Sequence, residues 1–174
     1  MAGSAKGACL AATQPGRMTL DEMLAREAIR DLVARYNANG DSGRFAQLWE
    51  LFTADAVMET AEMGGEPVRY EGLEEIKTIF TGARDRIASR PDTVPGYIRH
   101  FTATHQIDLV DAHHATGRLY FAVLMPHGLD HWGRYIDRYV CTGGRWQFGY
   151  RRASVDGRSA QSWFTAPPPA AQTG

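Results

Sequence analysis

The sequence predicts an α+β domain, with helices first and a sheet after them. Up to about residue 89, apolar residues recur at helical spacing. From Tyr97 onward, long strand-like segments alternate with short turn sequences. Segregated helices followed by an antiparallel meander define this class. The 174 residues suffice for one domain with a real core, and neither an internal repeat nor a second domain is visible.

Residues 1–17 are small, polar and rich in Ala and Gly, without the apolar run of a signal peptide. They read as a disordered tail or cloning remnant, and the domain is expected over residues 18–165. Thr19-Leu20-Asp21-Glu22 is a capping box, a Thr N-cap with Glu three residues on. Behind it Leu20, Leu24, Ala28, Leu32 and Tyr36 form an apolar stripe, widened by Met23, Ile29 and Val33. This first helix is expected from Leu20 to about Tyr36, ending near Asn39-Gly40 with its stripe on the core.

A second helix is expected from Ser42 to Ala54, on the spacing of Phe45, Leu48, Trp49 and Phe52. Ala56 to Thr60 reads as a short strand and Met63 to Pro67 as a turn. A third helix is expected from Glu71 to about Ser89, and a loop from Arg90 to Gly96. Four strands then follow: Tyr97–Val110, Ala115–Met125, His131–Thr142 and Arg145–Val155. The turns Asp111-Ala112-His113-His114 and Gly143-Gly144 favour antiparallel hairpins. Helices on one face of a curved sheet leave a cavity at the open end. Ala166 to Gly174 reads as a flexible tail.

Composition narrows the function. A net charge of −1 marks neither a nucleic-acid partner nor an anionic membrane surface. No apolar stretch approaches the ~18 residues of a membrane span. Cys9 and Cys141 suggest no disulfide framework or metal site, and a reducing cytoplasm is the expected compartment. Asp130-His131 and His113-His114 lack the spacing of a zinc or non-haem iron site. Gly-rich phosphate loops and Gly-x-Ser-x-Gly elbows are absent.

Asp41 follows the first helix, where the helix C-terminus carries partial negative charge and a carboxylate has the wrong sign. Asn-Gly-Asp-Ser-Gly is also ordinary turn chemistry, and local context favours that reading. His100 lies early in the first long strand, with the side chain best suited to proton transfer near neutral pH. Alternation puts His100 with polar Thr102, Thr104 and Gln106, and His105 with apolar Phe101, Ala103, Ile107 and Leu109. Which histidine faces a cavity stays open, because a bulge changes the answer. Arg151 and Arg152 point oppositely. An inward arginine needs a carboxylate, for which Asp41 is available.

The ordered segments AIRDLVARYNANGDSGRFAQLWELFTADAVMET, YEGLEEIKTIF, IRHFTATHQIDL and GRYIDRYVCTGGRWQFGYRR resemble the SnoaL-like branch of the nuclear transport factor 2-like superfamily. The resemblance covers roughly residues 20–155. It implies a cone-shaped roll, three N-terminal helices on a curved, mainly antiparallel sheet, enclosing an apolar pocket. The chain looks most like the branch's small lyases, scytalone dehydratase, hexachlorocyclohexane dehydrochlorinase and bile-acid 7α-dehydratase. Their Asp–His dyad matches Asp41 and His100. Arg151 after Trp146, and Tyr36 before Asp41, match further site positions. The chain departs from scytalone dehydratase at Leu119, where that enzyme has a second histidine, and Thr60 stands near one place of its tyrosine network. Scytalone is therefore not the expected substrate.

The resemblance implies a cofactor-independent lyase or double-bond isomerase acting on a small apolar, polycyclic or terpenoid substrate. His100 would be the base, Asp41 its partner, and Arg151 or Tyr36 the stabiliser of negative charge. Trp49, Met58, Phe101, Tyr120 and Leu124 are the candidate substrate contacts. No metal or other cofactor is expected, and a homodimer or homotrimer is. The alternatives are a non-catalytic binding or dimerisation module and an epoxide hydrolase, for which Asp137 and Arg138 are candidates.

Overall fold

Thr19 caps the first helix as its sequence predicts. Its hydroxyl accepts from the Glu22 backbone N–H at 3.2 Å, and Glu22 accepts in return from the Thr19 N–H at 2.8 Å. The computed structural model describes residues 18–88 and 96–163. The two predicted tails lie outside them, as does most of the predicted loop after the third helix. The elements are α1 (Leu20–Asp41), α2 (Phe45–Trp49), β1 (Phe52–Ala61), β2 (Val68–Glu71), α3 (Leu73–Ala88), β3 (Arg99–Leu109), β4 (His114–Met125), β5 (Gly128–Thr142) and β6 (Arg145–Arg158).

The first helix runs a turn further than its stripe suggests. It passes through Asn39-Gly40 and ends on Asp41. The stop residue is Gly43, at φ +66°, not Gly40. The Gly43 N–H donates to the Gly40 carbonyl at 3.1 Å and the Arg44 N–H to the Asn39 carbonyl at 2.9 Å. This pair of bonds closes a helix on a left-handed glycine. The stripe also meets the core only in part. Ile29, Leu32, Val33 and Tyr36 are buried, whereas Leu20, Met23 and Leu24 are more than half exposed.

The predicted second helix shrinks to Phe45–Trp49, because Phe52 to Ala61 join the sheet as β1 beside β6. Strand pairing there outweighs a helical spacing only four residues deep. The short strand β2 is an addition to the expected elements and pairs antiparallel with β1. Gly72, at φ +81°, turns the chain from β2 into α3, whose side chains are described as far as Asp85.

One six-stranded sheet has the order β2-β1-β6-β5-β4-β3. The β3–β6 run is the expected antiparallel meander, and β1 joins β6 in parallel. α1 packs on β3 and β6 while α3 packs on β1 and β2, which puts the core between the helices and the inner face. Among the described residues no helix is long and apolar enough to cross a membrane.

Two irregularities decide what faces inward. In β3 the register shifts between Ala103 and Gln106, with Thr104 at φ +54°. In β5 Asp130 is an extra residue, since Val123 aligns with His131 and Leu124 with Leu129. Each extra residue reverses the alternation beyond it.

Candidate active site

Asp41 is the last residue of α1 and His100 the second residue of β3. The His100 backbone N–H donates to Asp41 Oδ2 at 2.8 Å, and His100 Nδ1 meets Asp41 Oδ1 at 2.5 Å. Both carboxylate oxygens thus hold one residue. An ionised carboxylate only accepts, so Nδ1 carries the proton and Nε2 is the basic nitrogen. The Asp41 side chain is 8% exposed and that of His100 23%, so the imidazole is reachable while its partner is shielded.

The two inner-face histidines of β3 are explained by its bulge. Before it, His100 aligns with buried Val123; after it, Ile107 is buried and His105 Nε2 lies 3.1 Å from the Tyr139 hydroxyl. The choice between His100 and His105 is a false one, because both turn inward at different depths.

A second dyad lies beside the first. His100, Val123 and His131 form one row across β3, β4 and β5, and the two imidazole rings stand 6.4 Å apart at 85°. His131 Nδ1 is 2.7 Å from Asp130 Oδ1. Asp130 has no exposed surface, although neighbours on a regular strand would not both be buried. It accepts from the Ser162 hydroxyl at 2.9 Å and the Trp163 N–H at 2.7 Å, and His127 Nε2 lies 3.2 Å away. Burial pushes the His131 pKa down against the opposing pull of Asp130. On sequence, Asp130-His131 is weighed only as a pair of metal ligands and set aside on spacing; the aspartate preceding a histidine near a strand start is the clue it offers.

Phe121 lies between these groups, with ring centroids 6.4 Å from His100 and 6.0 Å from His131, and stacks on Tyr135 at 4.6 Å. Gly133 makes room for it, since a Cβ there would stand 2.8 Å from the Phe121 ring.

Arg151 is fully buried, but Asp41 is not its partner. It forks onto Asp137 with bonds of 2.9 and 2.8 Å, and its guanidinium carbon lies 4.1 Å from each ring of Tyr36, Tyr135 and Phe148. The register aligns Arg151 with Asp137 in β5, which fixes the pairing. Burial works against the Arg151 charge, yet Asp137 keeps its pKa raised. Asp137 also accepts from the Tyr139 hydroxyl at 2.7 Å. Tyr36 is held neutral, its pKa raised first by burial, with Asp137 and Asp41 adding to the rise and Arg151 opposing it.

The remaining candidates divide. Met58 is buried and aligned with Arg151; Trp49 is half-buried, stacked on Phe45 at 5.5 Å. Phe101 and Tyr120 are 57% and 59% exposed on the outer face, and Leu124 lies on that face too, because the inward positions of β4 are the odd ones. These three do not share the face of His100. Asp137 and Arg138 point oppositely, and Arg138 stacks over Tyr150 at 4.3 Å, so they form no pair for epoxide hydrolysis. A cavity of about 670 Å³ lined by Phe52, Val110, Thr116 and Tyr139 opens at the far end of β3 and β4, away from both dyads.

The SnoaL-like domain family model matches residues 21–152. The chain belongs to the SnoaL-like family. Its fold is the nuclear transport factor 2-like cone of that family. A candidate scytalone dehydratase from Novosphingobium aromaticivorans is 19% identical, with a TM-score of 0.64 over 82% of this chain and 91% of that one. The hexachlorocyclohexane dehydrochlorinase LinA-type3 from Novosphingobium barchaimii is 21% identical, with a TM-score of 0.63 over 85% and 99%. A protein of unknown function from Mycobacterium tuberculosis is 24% identical, with a TM-score of 0.61 over 78% and 74%. These likenesses concern the fold. No curated protein sequence matches this SnoaL-like chain.

Proposed function

We propose that this SnoaL-like protein is a cofactor-independent lyase or double-bond isomerase that removes a proton from carbon. One observation carries the reading: both oxygens of Asp41 hold His100, through its ring and its backbone, and leave Nε2 as the base. His100 takes the proton, and the C–H electron pair forms a double bond. Either a group on the neighbouring carbon departs with its pair, or a proton returns further along the chain of carbons. Asp41 keeps the tautomer and stabilises the imidazolium that forms.

Asp137 takes Nε and Nη2 of Arg151, which has no exposed surface, and leaves its buried Nη1 without a hydrogen-bond partner. Tyr36 is the neutral hydroxyl donor proposed for developing negative charge, with Arg151 fixing its ring. Phe121, Val123 and Tyr135 beside the dyad suit a small apolar substrate, polycyclic or terpenoid. The test screens polycyclic and terpenoid alcohols and ketones by thermal shift and turnover with wild type and His100→Ala. Ligands that stabilise both proteins but react only with wild type support the reading. Equal stabilisation without turnover in either identifies a binding module instead.

Self-association as a homodimer or homotrimer belongs to the proposal. Phe101, Tyr120 and Ile136 leave apolar surface on the outer face of the sheet. Light scattering on the eluted protein measures the mass directly.

A further inference from the structure

The function proposed above uses one of two facing dyads and leaves Asp130–His131 without a task. That second dyad is built, not incidental. An extra residue in β5 buries Asp130, and the chain after β6 returns to supply it with Ser162 and Trp163 as donors. With Nδ1 turned to Asp130, the exchangeable position of His131 is Nε2. The ring centroids stand 6.4 Å apart at 85°, which puts both imidazoles beside one another at the same place on the inner face.

We propose that His131 is the general acid of this site, protonating the oxygen that leaves while His100 takes the proton from carbon. This inference rests on the reading of His100 as the base. The C–H bond breaks to His100 Nε2, and its pair becomes the π bond. The C–O bond breaks with its pair on oxygen, and the proton of the His131 imidazolium joins that oxygen, which leaves as water. His100 ends charged, His131 ends neutral, and solvent returns the proton. The substrate class is therefore an alcohol whose hydroxyl is too poor a leaving group to depart unassisted.

Groups on several elements set the charge of His131. Asp130 faces His131 from its own strand, and His127 of the preceding turn lies against Asp130. His100 faces it from β3, backed by Asp41 at the end of α1. Arg158 of β6 is aligned with His131 but is tied to Glu62, and Val123 and Phe121 of β4 carry no charge. Burial first, and His100 as well, oppose a charge on His131, while the Asp130 carboxylate favours it.

Two ketones with different leaving groups test the role, 3-hydroxyindan-1-one and 3-acetoxyindan-1-one, with indenone read by absorbance. Acetate leaves without a proton; hydroxide does not. His131→Ala should lose about 10²-fold or more on the hydroxy ketone and little on the acetoxy ketone, while His100→Ala loses both. Asp130→Asn should follow His131→Ala on the hydroxy ketone and shift its pH profile. Equal loss on both ketones in His131→Ala, or no loss on either, overturns the acid role and leaves His100 as base. If wild type turns over neither ketone, the base reading fails for these compounds and nitrogen NMR decides the acid role. The His131 titration midpoint should rise in His100→Ala, and an unchanged midpoint overturns the proposal.

Discussion

Asp41 Oδ1 lies 2.5 Å from His100 Nδ1, while the other oxygen of the same carboxylate takes the His100 backbone N–H at 2.8 Å. A side chain held at both ring and backbone has little rotational freedom. That contact joins the end of α1 to the start of β3, so the helix stop and the strand start together place the His100 imidazole.

The base and its partner are expected to matter for rate and not for folding. His100→Ala and Asp41→Asn should each lower turnover by about 10²–10⁴-fold. Circular dichroism and melting temperature should stay close to wild type. Near-normal turnover in His100→Ala would falsify the catalytic reading.

The two glycines around Asp41 should respond oppositely. Gly40 lies inside α1, and a Cβ added there would meet nothing within 4 Å, so Gly40→Ala should stabilise by roughly 0.5–1 kcal/mol. Gly43 also has open space but sits at φ +66°, so Gly43→Ala should destabilise by about 1–2 kcal/mol. Urea midpoints measure both. Equal signs would contradict Gly43 as the helix stop.

The Arg151–Asp137 pair is a stability element. Arg151→Met leaves Asp137 buried without its cation and should cost about 3–5 kcal/mol. A double variant, Arg151→Met with Asp137→Leu, should recover part of that loss. A single variant as stable as wild type would show that the pair is dispensable.

Stability should fall in mild acid. Burial lowers the folded pKa of both His105 and His131 below the ordinary imidazole value. The unfolded chain therefore binds these protons first as pH drops. Stability is full above the ordinary imidazole pKa and is lost as pH falls through it toward the lowered folded values. Urea unfolding at neutral and mildly acidic pH should show the drop, and His105→Gln should reduce it. No change between the two conditions would contradict the lowered values.

Much of the fold is legible in the sequence because its signals are local. The Thr19–Glu22 box, the helical stripe and the hairpin turns depend on residues close in sequence. Where local signals mislead, partners distant in sequence compete. Phe52 to Ala61 take strand form because β6 is there to pair with, and the first helix outruns its stripe because Gly43, not Gly40, takes the left-handed conformation. Spacing carries no information on which glycine will do so.

The candidate site divides in the same way. The family resemblance nominates Asp41, His100, Tyr36 and Arg151, and the chain's own alternation warns that a bulge would decide the facing of β3. Alternation alone misplaces Phe101, Tyr120 and Leu124, and adjacency hides Asp130–His131, since neighbours in a regular strand do not both turn inward. Local signals in the chain carry the Thr19 cap, the first helix and the β3–β6 meander. Only the tertiary structure decided that Asp41 holds His100, that Arg151 belongs to Asp137, and that two histidines face each other across Val123. Those choices depend on register and bulges across three strands, which exist only once the sheet has formed.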